Sequence, residues 1–507
     1  MQIETKELKL TSKLLGRNAI LNFAGQILVA MSAIIMVPII IRGLGYSSYG
    51  LLSLALTIFG SFSLLELGLG RATTKFVAEY LYLRQYEKLS SVVWTSLVVQ
   101  LIIGIIAGLI FMIFIPHIVL GMKLEKALIP EASKMFYIIA VSISLILASS
   151  SLRGTLEGSQ RFDLVNYVKI ILNIGTYLIP MVGAYFKMKI SIIVFLMLIF
   201  RFIGTLAYLF FCISIIPQIK SFSLFKQDGI KLLFSYAGWV AVSNFIVPFL
   251  VQIDRYFIAT LIGISAVTFY TVPFEILNGL WIIPGSIAAV LFPAFSSIKN
   301  SDLNFQDLFI RPVKYILIIL GPVVIITVSF SFQILQLWQG INIATQSYQV
   351  LQLLVIGVLI NSIGWVPANL LMGSGRPDLT AKIHLIQTPL YMIGAFYLIK
   401  NYGIIGASLA FTLRVSFESF LCFFITLKLY PSLSKPLWLQ MYKSFICLAI
   451  LLFVILIQKI FLTRSLLLSI SFSVISLGLY SFCIFQLLDD FDKKLFSFKN
   501  LQKKTIS

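Results

Sequence analysis

The chain has 507 residues, of which 59% are hydrophobic and only 11% are charged, and its net charge is +20. Soluble domains are nearer half apolar and a quarter charged, so this composition excludes a water-exposed globular protein. The basic residues lie in short clusters between apolar runs with no basic domain to hold them, which excludes a nucleic-acid partner and indicates contact with anionic membrane lipids.

Long apolar runs set the predicted elements. Runs such as Leu101–Ile115 lack the alternation of a barrel strand, so the predicted fold class is an all-α polytopic membrane protein. Spans of about 20 residues predict about 14 transmembrane helices. They lie at 18–41, 50–70, 91–114, 135–156, 164–186, 190–216, 233–261, 266–291, 312–335, 348–371, 384–400, 403–427, 439–462 and 465–488.

The positions of the basic residues predict the orientation. With these spans, most of the Lys and Arg residues fall on the same side as the N-terminal tail, residues 1–17. Cytoplasmic segments carry such an excess, so we expect both termini, including the tail 489–507, to be cytoplasmic. The first apolar run is long enough to span and is followed by no small-residue cleavage site, so no cleavable signal is predicted.

The sequence repeats at a spacing near 213 residues. The matched pieces are Phe23-Ala24-Gly25 with Tyr236-Ala237-Gly238, Arg42 with Arg255, Gly158 to Leu164 with Gly373 to Leu379, Met181 to Tyr185 with Met392 to Phe396, and Arg201 with Arg414. Each copy holds six spans, an even number, so the copies insert with the same orientation about an axis along the membrane normal. We therefore predict two six-helix bundles, 18–220 and 221–430, with two additional helices in 431–488.

Four arginines are the candidate substrate-binding residues. Arg201, Arg255 and Arg414 lie within spans, and Arg42 ends the first span. Ionisable residues inside a membrane usually face an interior or a cavity, and guanidinium binds phosphate bidentately, so these residues favour a site for an anionic cargo. The alternative is structural, because Arg414 and Glu418 are spaced i, i+4 and can pair along one helix face.

Two acids within spans, Asp254 and Glu275, are candidates for binding a coupling H⁺ or Na⁺. The alternative is that they are structural carboxylates with partners. The sequence contains no phosphate-binding loop, no His/Cys metal cluster and no nucleophile elbow, so we expect neither an enzyme nor a bound cofactor.

Several short motifs lie at the ends of the predicted spans. They are Arg17-Asn18, Leu44-Gly45 to Tyr49-Gly50, Leu67 to Thr73, Gly158 to Asn166, Asp254-Arg255, Gly373 to Lys382, and Tyr402-Gly403 to Ala407. Together they cover roughly residues 15–430. They resemble the polysaccharide/O-antigen flippase family of the multidrug/oligosaccharidyl-lipid/polysaccharide exporter superfamily.

The resemblance implies a flippase for undecaprenyl-diphosphate-linked oligosaccharide in the bacterial inner membrane. The sugar-diphosphate head would enter a basic cavity between the two bundles from the cytoplasm, and an ion gradient would drive the opening to the outer face. The family carries essential cations on cavity-facing helices, and Arg42, Arg255 and Arg414 are the matching positions here. A polysaccharide polymerase machinery is the implied protein partner.

Three alternatives remain open. The first is a multidrug or metabolite cation antiporter of the same superfamily, whose cavity would be acidic or neutral. The second is a membrane glycan polymerase or ligase, which needs a long outer loop that the sequence lacks. The third is a scaffold subunit of the envelope synthesis machinery.

Overall fold

The computed structural model describes residues 12–64, 69–220, 250, 252–297, 305–434, 474–475 and 477–482. Within these ranges every regular element is a helix. Nine of the described helices are at least 18 residues long and apolar enough to cross a membrane. The predicted all-α, multi-pass fold class is therefore confirmed. The predicted span 439–462, most of the span 465–488 and residues 233–249 of the span 233–261 lie outside the described residues.

The first part of the chain forms seven α-helices joined by short connections. They are α1 (Ser12–Leu44), α2 (Tyr46–Leu64), α3 (Leu69–Tyr82), α4 (Tyr86–Gly121), α5 (Ile129–Gly158), α6 (Phe162–Tyr185) and α7 (Ile190–Ile215). The short α3 departs from the predicted spans, because its Thr, Lys and Glu residues interrupt the continuous apolar pattern that identifies a span.

Between residues 250 and 434, the described part of the chain contains seven more α-helices. They are α8 (252–261), α9 (Ile264–Leu280), α10 (Ile282–Ser297), α11 (Phe305–Ser329), α12 (Ser331–Gln339), α13 (Ile341–Gly373) and α14 (Pro377–Leu429). The predicted single span 266–291 is divided between α9 and α10, which meet at Trp281. Pro284 follows within one turn and has no N–H to donate to the carbonyl of Leu280, which explains the interruption.

The long α14 consists of two helices joined at Gly403, whose backbone angles are φ 61° and ψ −140°. This break agrees with the predicted boundary between the spans 384–400 and 403–427. A positive φ is accessible to glycine without steric cost, so the residue type suits the position. The connection between α6 and α7 also passes through a residue with positive φ, Lys187 at 52°. The two segments of α14 therefore correspond to α6 and α7.

The turn before α6 is repeated before α14. Arg161 donates from its side chain to Asp163 at 3.0 Å, and Arg376 donates to Asp378 at 3.1 Å. The backbone N–H of each arginine donates to the carbonyl five residues earlier at 2.9 Å. The residue before each arginine has a positive φ, 60° in the first turn and 82° in the second. The sequence repeat predicted at this turn is thus confirmed in its hydrogen bonds.

The chain is divided into two compact units. Unit 1 is Met1–Glu275 with His384–Ala407, and unit 2 is Ile276–Ile383 with Ser408–Ser507. These bounds differ from the predicted bundles 18–220 and 221–430, because α8, the first part of α9 and residues 384–407 all belong to the first unit. The predicted bundle boundaries, the additional helices in 431–488 and the two tails stay predictions.

Each unit contains a parallel pair of helices in the same register. In unit 1, α5 and α7 are linked by the hydrogen bond from the Ser191 hydroxyl to Glu131 and by the one from the Cys212 thiol to the Leu152 carbonyl, both joining residues 60 apart. In unit 2, the hydroxyls of two α14 residues donate to α13 carbonyls 59 residues earlier, at 2.9 and 3.2 Å. The repeated units share this internal arrangement.

The core of unit 1 lies between α3, α4, α5 and α7 and is made of buried apolar side chains such as Leu89 and Leu152. Close helix approach depends on two glycines of α4. A Cβ at Gly104 would lie 2.4 Å from the Cα of Ser144, and one at Gly108 would lie 2.6 Å from the carbonyl oxygen of Ala140. Small residues at such contacts let membrane helices pack backbone to backbone.

Candidate functional site

The candidate site in unit 1 is built on the hairpin of α8 and α9. The hairpin turns at Gly263, whose φ of 146° few other residues adopt, and the N–H of Gly263 donates to the carbonyl of Ile258 at 3.0 Å. Because the two helices run antiparallel from this turn, the start of α8 lies beside the second half of α9. Acidic, basic and aromatic residues more than a dozen positions apart are brought together there.

Asp254 is fully buried on α8. One of its carboxylate oxygens accepts a hydrogen bond from the Tyr270 hydroxyl, and the other accepts one from the backbone N–H of Arg255 at 2.9 Å. A buried carboxylate costs several kcal/mol unless it is hydrogen-bonded, so both donors stabilise this acid within the membrane region. The predicted coupling residue therefore has partners, as the structural alternative also required.

Arg255 points to a different set of partners. It is only 5% exposed, its Nη1 donates to the Gln252 amide oxygen, and its guanidinium carbon lies 4.5 Å from the centre of the Phe274 ring and 6.0 Å from that of Tyr270. Its Nε has no hydrogen-bond partner among the described residues. Ring faces and an amide oxygen hold the cation, and they leave donors on the guanidinium that an anion can accept from.

Glu275 lies on α9, next to Phe274. It is half-buried and accepts a hydrogen bond from the hydroxyl of Tyr177, on α6, at 3.1 Å. Tyr49, on α2, is also buried in unit 1. Side chains from α6, α8 and α9 form one polar cluster inside unit 1, which we call the Asp254–Glu275 cluster.

Tight packing of α2 against α9 positions this cluster. A Cβ at Gly50 would lie 2.2 Å from the carbonyl oxygen of Ile264, so only glycine fits there. The Thr268 hydroxyl donates to a carbonyl of α2 at 2.6 Å, and the hydroxyls of Ser53 and Thr271 lie 3.4 Å apart. These contacts fix the height of α9 against α2.

Two more of the predicted substrate-binding arginines, Arg42 and Arg201, belong to unit 1. Arg42 is exposed in the last turn of α1. Arg201 is half-buried on α7, and its guanidinium carbon lies 4.9 Å from the centre of the Phe59 ring on α2. Arg42 is thus exposed at the end of its helix, whereas Arg201 is held against an aromatic ring. Their role in binding substrate stays a prediction.

Arg414 belongs to unit 2. It is 8% exposed, its Nη1 lies 3.8 Å from a carboxylate oxygen of Glu418, and its guanidinium carbon lies 5.4 Å from the centre of the Phe411 ring. The i, i+4 pairing expected from the spacing is therefore present. An ion pair of this kind supports helix structure, and it also holds the guanidinium in place.

The aromatic and amide partners in the cluster were outside the reach of sequence reasoning. Tyr177 and Glu275 are 98 residues apart, and nothing in their spacing indicates a contact. Tyr270 is 16 residues from Asp254, and only the turn at Gly263 brings the two together. Among the described residues, no group of three or more His, Cys, Asp or Glu is arranged to hold a metal ion.

Comparison with solved structures identifies the fold. The inward-facing conformation of a multidrug resistance MATE family transporter of the MOP superfamily is similar with a TM-score of 0.69 and 16% identity, over 82% of this chain and 99% of that chain. The lipid II flippase MurJ in an inward closed conformation is similar with a TM-score of 0.63 and 14% identity, over 92% of this chain and 98% of that chain. The fold is thus that of MOP-superfamily transporters.

Comparison with curated proteins gives the family. A protein of Shigella flexneri named "Putative O-antigen transporter" is 26% identical over 406 residues, which cover 80% of this chain and 96% of that protein. Residues 15–299, more than half of the chain, match the profile of the family described as polysaccharide biosynthesis protein. The resemblance stated from the sequence motifs is confirmed, and the chain belongs to the polysaccharide biosynthesis protein family.

Proposed function

We propose that the chain is a flippase that moves undecaprenyl-diphosphate-linked oligosaccharide from the cytoplasmic to the outer face of a bacterial inner membrane by alternating access. Support comes from the family, from the relative named as an O-antigen transporter and from the fold shared with a lipid II flippase. The transported repeat unit would serve cell-surface polysaccharide synthesis, and a polysaccharide polymerase machinery would receive it.

The observation that carries this proposal is the buried guanidinium of Arg255. A cationic side chain inside the hydrocarbon core carries a free-energy cost, so such residues usually have a function there. Rings and an amide oxygen hold it, so its charge stays available to a diphosphate, which a guanidinium binds through two parallel hydrogen bonds. In the proposal Arg42, Arg201 and Arg414 bind the same anionic head at other points of its path.

The Asp254–Glu275 cluster would supply the coupling to an ion gradient. A proton or Na⁺ that binds either carboxylate changes the charge beside Arg255, and therefore the affinity of that arginine for an anion. The hydroxyls of Tyr270 and Tyr177 hold the two carboxylates in place for this exchange. Such a coupling makes cargo binding and ion binding depend on each other, as any linked pair of sites requires.

The same two acids favour a second candidate, an antiporter for cationic compounds. A buried Asp254 and a half-buried Glu275 could bind a cation in place of the coupling ion. The two candidates differ in what they require of Arg255. A diphosphate carrier needs its charge, whereas a carrier of cations is indifferent to its loss or improved by it.

The test is complementation of a flippase-null strain, scored by lipid-linked repeat units that accumulate on the cytoplasmic face. Arg255→Ala should reduce flipping at least tenfold at equal membrane expression, since a bidentate charged contact contributes about 1.5–3 kcal/mol. Arg84→Ala, the same change at an exposed arginine in the turn between α3 and α4, is the matched control and should leave flipping unchanged. Full activity of Arg255→Ala would reject the diphosphate proposal.

A further inference from the structure

A groove on the surface of unit 1 lies between the first turns of α5 and α7. Its volume is about 400 Å³, within the range of about 300–1,000 Å³ for small-ligand pockets. Its lining residues are Lys134, Tyr137, Ile138, Ser191, Ile192 and Phe195. One of the six, Lys134, is charged, yet the surface that the groove itself presents is almost entirely apolar.

The parallel register of α5 and α7 places the groove near one membrane surface. The hydrogen bonds that link the two helices join Glu131 to Ser191 and Leu152 to Cys212, 21 residues further along each helix. At 1.5 Å per residue this is about 31 Å, which matches a hydrocarbon core of about 30 Å. The groove therefore lies within the first turns of a pair that crosses the core, close to the level of lipid headgroups.

Exposed aromatic side chains also place the groove at the level of the lipid headgroups. Tyr137 lines the groove and is 43% exposed, and Tyr185, at the end of α6, is 79% exposed. α6 ends where α7 begins, so both tyrosines belong to the same end of the helices. Tyrosine is enriched at the boundary between hydrocarbon and headgroups, where its ring is apolar and its hydroxyl is hydrated.

The charged residue of the groove is available to an anion. Lys134 is exposed and has no ion pair among the described residues. Glu131 lies one turn before it on α5, but its carboxylate is bound to the start of α7, where it accepts from the Ser191 hydroxyl at 2.6 Å and from the Ser191 N–H at 3.4 Å. That acid stabilises the positive end of the α7 dipole, so Lys134 is left as a cation beside an apolar groove.

We propose that this groove binds an anionic phospholipid. The phosphate lies on Lys134, one acyl chain fills the groove against Ile192 and Phe195, and the chain continues along the exposed side chains of Val141 and Ile199. A lysine near the membrane surface favours an anionic over a zwitterionic headgroup by about fivefold. The site is separate from the Asp254–Glu275 cluster and does not depend on the proposed transport.

The test uses the purified full chain with two photo-cross-linking lipids that carry a diazirine in the same acyl chain. One is phosphatidylglycerol, which is anionic, and the other is phosphatidylcholine, which is zwitterionic. Mass spectrometry of the peptides should show labelling around residues 192–199, about fivefold stronger for phosphatidylglycerol. Lys134→Gln should lower labelling by phosphatidylglycerol to the level of labelling by phosphatidylcholine. Ile192→Trp, which fills the groove from an exposed position, should weaken labelling by both.

Lys126→Gln is the matched control, because Lys126 is an exposed lysine before the same helix and lies outside the groove. It should keep the fivefold preference. Equal labelling by the two lipids in the unmodified chain, or an unchanged preference in Lys134→Gln, would overturn the proposal. Displacement of the probe by an isoprenoid diphosphate at a tenth of the concentration required of unlabelled phosphatidylglycerol would also overturn it, since the groove would then be a site for a prenyl carrier.

Discussion

Asp254 and Arg255 are neighbours in sequence, yet their side chains serve separate sets of contacts. Asp254 accepts from Tyr270 and from the backbone, whereas Arg255 lies on Phe274 and donates to Gln252. Adjacent residues on a helix point about 100° apart, so this division follows from the geometry of α8. The sequence therefore identified both charges but could not identify the rings and hydroxyls that α9 places against them.

The hydroxyl of Tyr270 is the residue-scale feature whose removal is easiest to measure. Tyr270→Phe keeps the buried ring and removes a donor from a fully buried carboxylate, so the free energy of unfolding should fall by about 1–3 kcal/mol. The thermal-unfolding midpoint of the purified protein in detergent measures the effect. Tyr397→Phe is the control. Tyr397 is 64% exposed, so the thermal-unfolding midpoint of this variant should equal that of the unmodified protein. Equal midpoints for both variants would show that the buried hydroxyl contributes nothing.

At the scale of helices, the sequence pattern predicted that a helix is present more accurately than it predicted the residues at which the helix begins and ends. The break in α14 could be predicted because Tyr402 and Gly403 lie between two apolar runs. The repeated turn before α6 and α14 could be predicted from its Gly, Arg and Asp residues. The division at Trp281 was not, because an apolar run continues through it. Hydropathy measures the free energy of transfer to lipid. It does not register that Pro284 lacks the backbone N–H needed for a helical hydrogen bond.

The contact between α2 and α9 gives a prediction at this scale. A methyl group added at Gly50 meets the carbonyl oxygen of Ile264 at 2.2 Å, so Gly50→Ala should separate the helices and lower the free energy of unfolding by about 1–3 kcal/mol. Gly60→Ala adds the same methyl group on another face of α2, where no atom of the described residues lies within 4 Å. That control should be neutral or slightly stabilising. Both midpoints can be measured by thermal unfolding, and a neutral Gly50→Ala would contradict the packing described here.

At the scale of the whole molecule, composition and the repeat indicated a multi-pass transporter fold, and the comparisons confirm that fold. The candidate site was predicted only in part. Its charges can be read from the sequence because ionisable residues are rare in apolar spans, whereas the contact between α6 and α9 joins residues 98 positions apart. Long-range contacts of this kind depend on how helices pack, and a single sequence does not record that.

The orientation of the molecule is a further prediction from charge. The bias of Lys and Arg toward one side predicts that both termini are cytoplasmic. A fluorescent protein fused after residue 507 should therefore fluoresce in bacterial cells, and alkaline phosphatase at the same position should be inactive. Phosphatase fused within the connection between α4 and α5, predicted to be outside, is the control and should be active. An active C-terminal phosphatase fusion would require an odd number of spans.

Hydrogen bonds join residues 60 apart between α5 and α7, and residues 59 apart between α13 and the second segment of α14. Because the spacing is constant within each pair, each pair should move as a rigid body. Hydrogen bonds separated by up to 21 residues tie the partners together, so sliding one past the other would break several contacts at once. Spin labels attached to the two members of one pair should keep a fixed separation when cargo or ions are added. Such a pair would provide a fixed reference distance for detecting which helices move in the proposed transport cycle.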